Sequence, residues 1–162
     1  MRRLVCPDPY LQGATMTTLV DILKAKGSTV YTIPPEFTLQ EATQEMVRRN
    51  VGALLVCQRD LTHGERLLGI VTERDILRFS ASGKGPLTEF RVSDIMTTRL
   101  LTASPSDPVE EAMGVMTQHR IRHLPVLSEG RLVGIVSMGD LVKNQLERLA
   151  VENQFLKSYI SG

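Results

Sequence analysis

Three features of the 162-residue chain predict an α/β protein of the α+β kind, built as two β-α-β-β-α repeats packed face to face in one pseudo-two-fold module. The chain repeats itself at a near-constant offset. Within each copy a helix-periodic stretch is followed by two short apolar runs and a second helical stretch. Those runs are apolar on both faces, so each sheet needs cover on both sides, and a stacked second copy supplies it.

The repeat is read residue by residue. Leu39-Gln40-Glu41-Ala42, Met46 and Val51 to Val56 return 70 positions later as Val109-Glu110-Glu111-Ala112, Met116 and Ile121 to Val126. Gly69-Ile70-Val71-Thr72-Glu73-Arg74-Asp75 returns at an offset of 65 as Gly134-Ile135-Val136-Ser137-Met138-Gly139-Asp140. The five residues by which these offsets differ fall between Gln58 and Arg66, where a longer hairpin loop tolerates them. Upstream, Val20-Asp21-Ile22-Leu23 matches Ser93-Asp94-Ile95-Met96 at 73. The expected divisions are an N-terminal arm over 1–17, repeat 1 over 18–80, a linker over 81–91, repeat 2 over 92–147 and a C-terminal helix over 148–162.

Each copy opens with a turn of helix (19–24; 92–96) and a short extended piece (29–33; 100–103). Leu39, Ala42 and Met46, with Val109, Ala112, Met113 and Met116, then line one face of a helix. Thr38 with Glu41 predicts a capping box, and Asp107 an N-cap with Pro108 at the first helical position. Strands are expected over 53–57 with 67–72 and over 124–127 with 132–137, followed by helices starting at Thr72 and Ser137. The stretch Ser80-Ala81-Ser82-Gly83-Lys84-Gly85-Pro86 has the composition of a flexible connector.

Composition narrows the function classes. Nineteen basic against eighteen acidic residues gives a net charge of +1, without the basic surplus of nucleic-acid binders. Aromatic residues are 4% and Trp is absent, so base-stacking platforms are not expected. No apolar run approaches the ~18 residues of a membrane span. Pro7, Asp8 and Pro9 interrupt any apolar core of a signal peptide, and Met16 is a candidate alternative start. Cys6 and Cys57, far apart and without metal-ligand spacing, read as free thiols of a reducing cytoplasm. His63 and His119 join no acidic or cysteine cluster, so no metal site is expected. No nucleophile has a plausible base, so neither catalysis nor a catalytic cofactor is expected.

The duplicated Gly-Ile-Val-[Thr/Ser]-x-x-Asp carries the chemistry. An apolar strand ends where a helix begins, at Thr72 and at Ser137, and the first helical amides favour an anion such as phosphate. A hydroxyl there donates to a phosphate oxygen, and Asp75 or Asp140 one turn later can accept from the vicinal hydroxyls of a ribose. The same residues also make ordinary helix caps. Spacing alone favours the cap, and duplication does not separate the two readings.

Over residues 18–147 the sequence resembles a tandem pair of CBS domains, the Bateman module. It is closest to small stand-alone bacterial proteins and related organellar ones. The resemblance rests on Val20 to Leu23, Asn50 to Leu54, Gly69 to Asp75, Asp94 to Thr97, Ile121 to Val126 and Gly134 to Asp140. It implies a regulatory, energy-sensing module that binds AMP, ADP, ATP or NAD(H) between repeats. The motif of each copy would work with the early strand of the other. Ile70, Thr72 and Asp75 would thus face Ile121, Arg122 and His123, while Ile135, Ser137 and Asp140 would face Val51, Gly52 and Ala53. The aspartates would hold ribose hydroxyls, the Thr and Ser would lie near phosphate, and apolar Ile and Val would sandwich the adenine. Arg122 and His123 favour the Asp75 half for phosphate, since Gly52 and Ala53 stand at the matching places. Glu73 opposes an anion there and Arg74 offsets it. The competing reading is a ligand-free interaction module in which Thr72, Asp75, Ser137 and Asp140 are caps only.

Val142, Leu146, Leu149, Asn153, Leu156 and Ile160 follow 4-3-4-3-4 spacing, the seam of paired helices with one register-fixing Asn. Val151, Phe155 and Tyr159 extend a neighbouring stripe. A helix folded onto its own module fits the same pattern. The resemblance supports a homodimer through the repeat faces and this helix, acting on a regulated protein that the sequence does not identify.

Overall fold

The protein's computed structural model describes residues 17–27, 29–60 and 64–161. The expected arm over 1–17 lies outside them except for Thr17. In chain order the elements are α1 (Leu19–Lys26), β1 (Thr32–Ile33), α2 (Leu39–Arg49), β2 (Ala53–Asp60), β3 (Gly64–Thr72), α3 (Glu73–Ala81), α4 (Val92–Ile95), α5 (Val109–Gln118), β4 (His123–Ser128), β5 (Arg131–Ser137) and α6 (Met138–Ser161). The α+β architecture and the internal repeat are those the sequence predicts. β1 pairs parallel to β2 and β2 antiparallel to β3, while β4 and β5 form the second sheet. A parallel bridge from Ala103 to Val126 stands where the first copy has β1, which pairs Ile33 with Val56.

The five extra residues do not form the long loop expected of them. β2 and β3 have eight and nine residues, against six and seven in β4 and β5, so most of the insertion lengthens both strands. Both hairpins keep an irregularity at the same place, Val56/Cys57 and Val126/Leu127. In the second hairpin Glu129 (φ 51°) and Gly130 (φ 76°) form the tight turn. Two positive φ values match the right-handed twist of the flanking strands.

The start of α2 follows the chemistry of its first residues, and that of α5 does not. Thr38 Oγ1 accepts from the Glu41 amide at 3.1 Å, and the Glu41 carboxylate accepts from the Thr38 amide at 2.8 Å, the capping box expected. Asp107 does not cap α5. Its carboxylate accepts from the Ser104 amide at 2.8 Å, and Pro108 is the N-cap. The α5 amides find other partners: the Val109 amide donates to the Thr17 carbonyl and Leu19 donates back to Asp107, each at 3.0 Å.

That exchange is half of a symmetric pair. Val92 donates to the Phe37 carbonyl at 2.8 Å and Leu39 to Phe90 at 2.9 Å, so the residues before α4 clasp the start of α2 as those before α1 clasp the start of α5. Each opening helix therefore lies on the other copy's core. Leu19, Ile22 and Leu23 of α1 pack with Val109, Ala112, Met116, Leu124, Val126, Val136 and Leu141. Val92 of α4 packs with Leu39, Ala42, Met46, Leu54, Val56, Val71, Ile76 and Phe79. The second half of the 81–91 linker is docked as well: Phe90 meets Phe79 with ring centroids 4.7 Å apart, and Leu87 joins the first core. A third cluster holds the two sheets together, with Ala53, Leu55, Ile70 and Leu67 from one copy against Leu132 and Ile135 from the other.

The motif glycines are required by this crossing. A Cβ on Gly69 would stand 2.7 Å from the Thr97 carbonyl oxygen, and one on Gly134 would stand 2.5 Å from the Leu23 side chain. Each glycine leaves room for the segment that arrives from the other copy.

Candidate functional site

The site is built from the two strand starts and the two helix starts. After α2 and α5 the chain turns through residues in the left-handed region, Asn50 (φ 53°) and Arg120 (φ 54°), which aim Val51 to Ala53 and Ile121 to His123 into the middle of the module. The carbonyl of Gly52 accepts from the Glu73 amide at 3.0 Å, and that of Arg122 accepts from the Met138 amide at 2.9 Å. Each strand start is thereby tied to the first turn of its own motif helix.

A cleft of about 970 Å³ opens between the copies. Val51 and Gly52 line it from the first copy, and Arg122, His123 and Ser137 from the second. Its volume is at the upper end of the range of small-ligand pockets. Glu73 of α3, expected beside Thr72, lines it too, as do Ile76 and Leu77 of α3, Val47 of α2, and Met138 and Gly139 of α6, which the sequence reading did not place in the site. Val47 and Leu77 carried a legible signal: each is an apolar residue beside the buried stripe (Met46, Ile76) and not on it. Among the predicted residues, Ile70 and Ile135 meet in the cluster between the sheets, and Ala53 is buried there too. Ile121 packs on the core of the second copy. Thr72, Asp75 and Asp140 are half-buried at the helix starts and do not line the cleft.

At those helix starts the caps are formed. Asp75 Oδ2 accepts from the Thr72 amide at 2.9 Å and from its hydroxyl at 2.7 Å, and Thr72 Oγ1 accepts from the Asp75 amide at 3.3 Å. Asp140 Oδ2 accepts from the Ser137 amide at 2.8 Å, and Ser137 Oγ accepts from the Asp140 amide at 3.2 Å. In both cases these bonds fall on Oδ2. A carboxylate has about four acceptor positions, so the cap does not exhaust it.

The two halves differ in charge. Lys26, the last residue of α1, places Nζ 2.6 Å from Asp140 Oδ2 and 2.9 Å from the Ile135 carbonyl oxygen. Burial raises the Asp140 pKa, but the Lys26 ammonium and the Ser137 amide outweigh it and hold the carboxyl below its ordinary value. The Ile70 carbonyl, counterpart of Ile135, accepts instead from the Thr97 amide at 2.9 Å. The His123 pKa is pushed below its ordinary value by burial, against the pull of Glu73 and Asp140. His123 brings a donor to the cleft, and Arg122 brings the charge.

Elsewhere the buried Cys57 thiol is pushed up to about 11 by burial and by Glu65, which makes it unreactive at neutral pH. Among the described residues no group of three or more His, Cys, Asp and Glu side chains could hold a metal ion. No described helix is long and apolar enough to cross a membrane.

The profile of the CBS domain matches this chain twice, over residues 27–82 and 92–147. The chain belongs to the CBS domain family. It is 36% identical over 156 residues to the CBS domain-containing protein CBSX3, mitochondrial, of Arabidopsis thaliana, covering 93% of this chain and 75% of that one. A putative signal-transduction protein with CBS domains from Burkholderia ambifaria superposes with a TM-score of 0.75 at 40% identity, covering 81% of this chain and 95% of the other. The CBS domain pair of protein MJ0100, solved with 5-methylthioadenosine and S-adenosyl-L-methionine, superposes with a TM-score of 0.70 at 26% identity, covering 83% and 99%.

Proposed function

We propose that this CBS pair is a non-enzymatic regulatory module of the cytoplasm that binds an adenine nucleotide (AMP, ADP, ATP or NAD(H)) between its repeats. The observation that carries the reading is the shared cleft, where Gly52 of one copy meets Arg122, His123 and Ser137 of the other. A ligand seated there touches both repeats at once, so its binding energy acts on their relative placement. At ~100 times its dissociation constant it favours the bound geometry by about 2.7 kcal/mol, enough to bias a modest two-state equilibrium. The adenosine ligands of the MJ0100 pair support the ligand class. Titrating the protein with AMP, ATP and NADH in a calorimeter is expected to give saturable heat with at least one of them. Flat titrations with all three remove the proposal.

A ligand-free interaction module remains the second reading, favoured by the cap bonds at Thr72–Asp75 and Ser137–Asp140. The Discussion gives the variant that separates the two.

The module signals as a homodimer in this proposal. α6 is fixed at its base, where Arg148 and Gln145 both donate to Glu110 Oε1 at 2.8 and 2.9 Å. Beyond that point Leu149, Val151, Phe155, Leu156, Tyr159 and Ile160 are all exposed, Tyr159 to 92%. On the repeat faces Val47 and Leu77 are 77% and 69% exposed. A second copy covering both surfaces removes these apolar side chains from water. Introducing Leu149→Glu with Leu156→Glu is expected to halve the mass measured by sedimentation, from twice 18.0 kDa to 18.0 kDa, without loss of helix signal. An unchanged mass locates the dimer contact elsewhere or denies it.

A further inference from the structure

We propose that Lys26 sets the ligand selectivity of the Asp140 half: its ammonium guards the carboxylate against neutral nucleosides and yields it to a ligand that carries a 5′-phosphate. The inference rests on the adenine-nucleotide reading above and adds the discriminating residue.

The ammonium bridges Asp140 Oδ2 at 2.6 Å and the Ile135 carbonyl at 2.9 Å. The two charges cancel, so the carboxylate offers a ribose diol a weakened acceptor. A neutral nucleoside has nothing to give the ammonium in return. A phosphate does, because N–H donation from an ammonium to a charged phosphate oxygen is among the stronger hydrogen bonds. Lys26 can make the exchange. It ends α1 beside Gly27, its side chain is 31% exposed and that of Asp140 27%, and its four-carbon stem has free rotors. The Asp75 half differs. The counterpart of Lys26 there is Arg99, Asp75 bonds only Thr72 among the described residues, and Thr97 takes the Ile70 carbonyl. Selection between adenosine and AMP therefore falls to the Asp140 half.

Lys26→Met keeps the stem and removes the charge. Adenosine and AMP are titrated calorimetrically into the native protein and this variant, with thermal melts to confirm folding. The native protein is expected to prefer AMP by tenfold or more. In Lys26→Met adenosine should tighten and AMP weaken until the two lie within about threefold, while Lys26→Arg restores the preference. The change should persist in an Asp75→Asn background and vanish in Asp140→Asn. An unchanged AMP-to-adenosine ratio, or an effect that survives in Asp140→Asn, overturns the role of Lys26 and leaves nucleotide binding intact. If native protein and variant bind neither compound, the adenine reading falls and the selectivity falls with it.

Discussion

Replacing Leu19 with alanine is expected to destabilise the protein by about 2–5 kcal/mol, and to do so through the second repeat. Leu19 belongs to the first copy by sequence. Yet it is fully buried among Val109, Met116, Leu124 and Leu141 of the second, where removing three side-chain carbons leaves a cavity the surrounding helices and strands can only partly close. For a chain of this length the melting temperature should fall by roughly 5–15 °C. The location of the damage is the sharper readout. Amide exchange should accelerate first in β4 and β5 and in the buried turns of α6, with β2 and β3 protected longer. Accelerated exchange confined to β2 and β3 would contradict the exchange of opening helices. Because α1 carries Lys26 into the Asp140 half, the same helix couples the stability of the second core to the charge of the candidate site.

The repeat itself was legible because buried helices and strands impose periodicity on their own residues, and both copies obey it: Leu39, Ala42 and Met46 and their counterparts are buried as their spacing requires. The exchange of α1 and α4 was not legible. Apolar spacing says that Leu19 and Val92 are buried, but the two cores use the same residue types, so nothing local says which core receives which helix. Asp107 shows a related limit. Its spacing suits an N-cap, but a carbonyl from the arriving segment takes the Val109 amide, and the carboxylate turns back to Ser104. In the site, Gly52, Arg122, His123 and Ser137 were placed by resemblance and share one cleft. Positive charge was expected at both Arg122 and His123. Burial disfavours it at His123, and a string of residue types does not carry burial. Lys26 was missed although a basic residue stands at matching places after the opening motif in each copy, Lys26 and Arg99. Only the crossing brings one of them to a carboxylate.

Asp75→Asn should weaken adenine-nucleotide binding by about 10- to 100-fold while costing little stability. The two effects separate because the proposed function gives the residue a second job, on a different atom from its cap. Its cap needs one oxygen to accept from the Thr72 amide, now at 2.9 Å, and asparagine supplies that oxygen. Holding a ribose diol needs two hydroxyls donating to a charged group. Hydrogen bonds to charge contribute about 1.5–3 kcal/mol each, and the amide keeps neither the charge nor the second acceptor. Asp75→Ala removes both jobs, so it should lose the same affinity and about 0.5–2 kcal/mol of stability as well. Comparing the pair isolates function from folding: equal losses of affinity with unequal melting temperatures identify Asp75 as a ribose ligand. If the native protein and both variants bind no nucleotide, and only Asp75→Ala melts early, Asp75 serves its helix cap and nothing more. The ligand-free reading then stands, and the cleft at Gly52 and Arg122 must be explained by a partner protein instead.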